Sequence, residues 1–104
     1  MNNNISAKNM NLDKEQLRKA LVSLSVERTL LKIGKPVYDK VVKQLSREYN
    51  CYLPDCYEHP EYLNKVLKKI FGDSYITIVE DIKKELDDQL MEKPIEIFIC
   101  AISE

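Results

Sequence analysis

The chain has 104 residues, 44% of them hydrophobic and 32% charged, with two glycines and a formal net charge of −1. That suffices for one core and not for two, and points to a soluble, compact, helix-rich domain. No apolar run approaches the roughly 20 residues of a membrane helix, so no membrane span is expected, and the near-neutral total argues against a dedicated nucleic-acid binder.

The total conceals a division. Residues 1–52 carry ten Lys or Arg against five Asp or Glu, whereas residues 53–104 carry six against twelve. The halves attract, which favours packing within the chain or between copies. The first residues, MNNNISAK, have no apolar h-region, so no secretory signal is expected. Three cysteines are an odd number, and without a signal they are expected as reduced thiols in the cytoplasm.

Residues 1–10 are polar, Asn-rich and aperiodic, and are expected to form a disordered leader ahead of a single helical domain over 11–104. Leu17, Ala20, Leu21 and Leu24 then follow the i, i+3, i+4, i+7 spacing of a helix that starts near Asn11 or Asp13. Val26, Leu30 and Ile33 extend an apolar stripe to a Gly34 cap, with Ser25 as a break or a face residue. Pro36 opens a second helix, whose face is Val37, Tyr38, Val41, Val42, Leu45 and Tyr49, closed by Asn50. A third helix carries Tyr62, Leu63, Val66, Leu67, Ile70 and Phe71, with Lys68 and Lys69 at its negative end and Gly72 as its stop. Asp73 is placed to cap a fourth, with Tyr75, Val79, Ile82, Leu86 and Leu90 on one side. Pro94 opens a last segment in which Ile95, Phe98, Ile99 and Ile102 fit a helix, although the composition would suit a strand. No partner strand exists, so a helix is expected. The fold class is all-α, a compact bundle of about five helices with no sheet.

Between the second and third helices lies NCYLPDCYEHPEYL, residues 50–63, which holds two cysteines, the single histidine and three tyrosines. Asp55 and Glu58, three apart after Pro54, have the spacing of a reciprocal capping box. His59 precedes Pro60 and so sits at a junction where helical ψ is disfavoured. Pro54, Asp55, Tyr57, Glu58, Pro60 and Tyr62 are therefore read as a structural corner. The same stretch also spells Cys51-x4-Cys56-x2-His59, three residue types that bind zinc. A closed site needs a fourth ligand and only Asp55 lies near, so buried thiols beside a junction histidine are the plainer reading. A Cys56–His59 dyad lacks an evident oxyanion hole or cleft, and no Gly-rich phosphate loop is present. Neither a catalytic residue nor a cofactor is expected. Lys40, Lys43 and Arg47 form a cationic stripe, with Lys65, Lys68 and Lys69 as a second patch. A solvated face is the ordinary reading and phosphate contact the alternative.

The skeleton formed by Gly34, Pro36, Tyr38, Tyr49, Asn50, Cys51, Asp55, Cys56, Tyr57, His59, Pro60, Tyr62, Leu63, Gly72 and Tyr75 resembles a thaumarchaeal signal-transduction output domain family, the Nitrosopumilus output domain, type five. The resemblance spans roughly residues 30 to 100. It implies a signalling output whose partner is a sensor or receiver module, and it carries over no catalytic or ligand residue. The expected function is a non-enzymatic cytoplasmic protein–protein interaction module that self-associates as a homodimer. Leu17, Leu21 and Leu24, together with Ile95, Phe98, Ile99 and Ile102, offer more apolar surface than one small core needs. The alternatives are a metal- or ligand-responsive switch at Cys51, Cys56 and His59, and a nucleic-acid regulator using Lys40, Lys43 and Arg47.

Overall fold

The computed structural model describes the backbone of residues 2–104 and the side chains from Lys14 onward. Among the described residues there are five α-helices and no strand: α1 (Asn2–Ile33), α2 (Lys35–Tyr49), α3 (Pro60–Phe71), α4 (Tyr75–Leu86) and α5 (Lys93–Ser103). Three short 3-10 turns join them, at Leu53–Tyr57, Gly72–Ser74 and Asp87–Met91. The all-α bundle is as expected, and α5 is a helix. The backbone of α1 begins ahead of the expected Asn11 or Asp13 start. The leader expected at residues 1–10 lies outside the residues whose side chains are described.

The core face of α1 is not the leucine stripe. Val22, Ser25, Val26, Thr29 and Leu30 are buried, while Leu17 and Leu24 point outward. Two apolar sets run along this helix on opposite sides, and the inner one is broken by small polar residues. The helix itself satisfies them. The Ser25 hydroxyl donates to the Leu21 carbonyl and the Thr29 hydroxyl to the Ser25 carbonyl, both at 2.8 Å. Ser25 is thus a buried face residue and does not interrupt α1.

A single residue separates α1 from α2. Gly34 has φ 155° and ψ 151°, a conformation open essentially to glycine alone. Its N–H bonds to the Leu30 carbonyl, and its own carbonyl accepts from Val37 and Tyr38, each at 3.1 Å. The chain therefore reverses while both helix ends remain hydrogen-bonded. α2 then buries Val41 and Leu45 and ends at Asn50 in the left-handed region, with φ 49°.

α3 lies between α2, α4 and α5 and buries Leu63, Val66 and Leu67. Gly72, at φ 59°, stops it. Asp73 does not cap α4. The 3-10 turn carries the chain straight into that helix, with the Tyr75 N–H bonded to the Gly72 carbonyl, and Ser74 takes the N-cap position without a side-chain bond.

α5 closes the bundle with Ile95, Phe98, Ile99 and Ile102, all buried. Burying a side chain of this size stabilises by about 1.5–3 kcal/mol, and four of them secure a helix of only 11 residues. Its end is fixed from outside as well. The buried Asn64 amide donates to the Ile102 carbonyl at 2.9 Å, and the Tyr75 hydroxyl donates to the Ser103 carbonyl at 3.0 Å. These four residues, expected as part of an association surface, belong instead to the core of the chain's own bundle.

Candidate functional site

The corner between α2 and α3 is built from backbone and carboxylate bonds. Asp55 accepts the Tyr52 N–H on its carboxylate at 3.2 Å and returns its own N–H to the Tyr52 carbonyl at 2.9 Å. The reciprocal pair is therefore Tyr52 with Asp55. Glu58 does not join it, because its carboxylate reaches across to Lys19 of α1 at 3.0 Å, with Asp55 3.6 Å from the same ammonium. Those contacts, Glu58 first, raise the Lys19 pKa. The corner is in this way tied to the long helix. Tyr57 adds a second tie, its hydroxyl donating to Glu15 at 3.3 Å and its ring tilted against Phe98.

His59 serves as a junction through its backbone. Its N–H bonds to the Asp55 carbonyl and its carbonyl accepts from Tyr62, while its imidazole makes no capping bond. The ring stacks on Tyr62 at 5.1 Å between centroids, and Tyr62 stacks on Tyr49 at 4.5 Å. This three-ring column braces α2 against α3. It was not legible in the sequence, since Tyr49 stands on a different helix from Tyr62, and no periodicity links them.

Cys51 and Cys56 are brought together, but without His59. The Cys51 thiol donates to the Tyr52 carbonyl at 3.3 Å, and the Cys56 thiol approaches the same oxygen at 3.9 Å. Burial pushes both thiols above their ordinary pKa, Cys56 the more strongly. A thiol held neutral is a poor nucleophile and a poor metal ligand. Among the described residues, no group of three or more His, Cys, Asp or Glu side chains is placed to hold a metal ion. A cleft of about 380 Å³ opens beside Cys51, lined by Lys19, Tyr49, Asp55, Glu58, His59 and Tyr62.

The outward face of α1 has another character. Leu17, Leu24 and Leu31, seven residues apart, are 59%, 41% and 44% exposed, and Leu21 between them is half-buried. Beside Leu24 lies a groove of about 390 Å³ whose walls include Ala20, Ser23 and Pro54. Leu24 stands at the edge of this groove, and Gln16, Lys19 and Glu27 complete its walls. The heptad recurrence was present in the sequence, hidden because the same helix also carries Val22, Val26 and Leu30.

The cationic stripe is as expected in one half. Lys40, Lys43 and Arg47 are exposed, and none takes part in an ion pair among the described residues. Lys43 and Arg47 border a groove with Tyr52, which is 69% exposed. The second patch is divided: Lys69 pairs with Glu48, and Lys68 lies 5.1 Å above the Tyr75 ring.

Compared with protein families, curated proteins and solved structures, the chain matches no family model, no curated protein and no solved structure. Among the described residues, no helix is long and apolar enough to cross a membrane.

Proposed function

We propose that this chain is a non-enzymatic cytoplasmic interaction module, a signalling output that self-associates through the outward face of α1. The observation that carries this reading is the row of Leu17, Leu24 and Leu31 left exposed on one helix while Ile95, Phe98, Ile99 and Ile102 of α5 are buried. An exposed apolar row with a hollow beside it is the usual mark of a protein interface. A second copy is the partner that fits. The row recurs every seven residues along one helix, so a second α1 laid antiparallel about a two-fold axis sets leucine against leucine. The signalling role rests on the resemblance of the corner skeleton. Against catalysis stand thiols that donate to a backbone carbonyl and an imidazole engaged in stacking. Native mass spectrometry at micromolar concentration is expected to show a dimer, and a monomer throughout would overturn self-association.

A second reading has one observation in its favour. Lys43, Arg47 and the exposed Tyr52 ring share a groove, a combination that suits single-stranded nucleic acid through phosphate contact and base stacking. Its test is fluorescence anisotropy with a labelled oligonucleotide. Affinity that falls steeply with salt, and with Tyr52→Ala, supports it, and no binding at low salt removes it.

A further inference from the structure

The two buried thiols have no part in the interaction module, yet they are placed for a reaction. Both lie against one oxygen, the Tyr52 carbonyl, at 3.3 Å from Cys51 and 3.9 Å from Cys56. The third thiol, Cys100, is exposed on α5. Cys51 lines the cleft at the corner, and Cys56, the more deeply buried of the two, is not among its walls. We infer that Cys51 and Cys56 form a reversible modification site, a dithiol that a small neutral peroxide entering the cleft oxidises to an intramolecular disulfide.

The chemistry balances with hydrogen peroxide as oxidant. The Cys51 sulfur attacks one peroxide oxygen and the O–O bond breaks, which gives a sulfenic acid at Cys51 and one water. The Cys56 sulfur then attacks the Cys51 sulfur, an S–S bond forms, and the sulfenic oxygen leaves as a second water. Both thiol hydrogens end in water, and the two electrons reduce the peroxide. The cleft also selects its reagent. Asp55 and Glu58 line it, and Lys19 is already paired with both, so an uncharged oxidant enters more readily than an anionic disulfide. Because burial keeps the thiols protonated, the reaction is slow near neutrality. Its rate is expected to rise about tenfold per pH unit as thiolate appears. Such a pair rests reduced in a reducing compartment and closes under oxidative load, the usual behaviour of intracellular sensing disulfides.

The test is to treat the whole chain with millimolar hydrogen peroxide, alkylate in denaturant and map the peptides. The expected product has Cys51 linked to Cys56, with the exposed Cys100 outside that bridge, and a thiol reductant reverses it. Cys100→Ser is expected to close in the same way, and Cys56→Ser to stop at a Cys51 sulfenic acid that dimedone traps. Three alkylatable thiols after treatment, a crosslink made only through Cys100, or overoxidation of Cys51 with Cys56 still free would each overturn the proposal. The mapping on the unmutated chain decides the matter even where a variant fails to fold.

Discussion

Cys56 and Cys51 are held neutral by burial, above the ordinary thiol value of 9.0, and this gives their environment a signature in pH. A pKa raised in the folded state means a contribution fully present below the unfolded value and lost as pH rises through the folded one. Thermal stability is therefore expected to fall with pH above the ordinary thiol range, and less steeply in Cys56→Ala than in the unmutated chain. Melting curves recorded across the alkaline range measure the two slopes. Asn64 offers a second test at the same scale. Its amide is the partner of the buried Ile102 carbonyl, so Asn64→Ala leaves an acceptor unpaired and is expected to cost about 1–3 kcal/mol in urea unfolding. The sequence could not reveal that bond, because Asn64 follows Leu63 on a helix and looks like a solvent residue. The corner's prolines and Asp55 were legible because turn chemistry is local. The destination of Glu58 was not, since Lys19 reaches it from another helix.

At the scale of elements, the junctions carry the fold. Gly34 joins two long helices at a φ that other residues rarely adopt, yet a Cβ there would meet Pro36 at an ordinary 3.7 Å. Gly34→Ala is therefore expected to destabilise by about 1–3 kcal/mol through backbone strain alone, with no clash to relieve. A lowered midpoint with an unchanged denaturant slope checks this. The helices were legible as elements because apolar spacing marks each one. The orientation of α1 was not. A helix with leucines on one side and valines on the other gives two candidate inner faces, and only packing against α2, α4 and the corner selects the valines. For α5 the helix was foreseen and its burial was not. A short apolar segment looks like spare surface until the bundle it completes is known.

For the whole molecule, the division of charge becomes structure. The basic first half meets the acidic second half at Arg18–Glu92, Lys19–Glu58 and Lys32–Glu85, all linking α1 to later elements. The Lys32 hydrogen bond lowers the Glu85 pKa. Solvent screens such exposed pairs, so the hydrophobic core, and not this attraction, holds the bundle together. The two apolar sets of the molecule consequently behave differently on mutation. Phe98→Ala, in the core, is expected to cost about 3–5 kcal/mol of folding stability. Leu24→Glu, on the exposed row, is expected to leave the thermal midpoint of the folded chain nearly intact apart from any stabilisation that association supplies. Sedimentation of the unmutated chain beside Leu24→Glu, with circular dichroism on both, tests the central claim most directly. A dimer that becomes a folded monomer on substitution is the expected result, and a monomer in both, or an undiminished dimer in the variant, would contradict it.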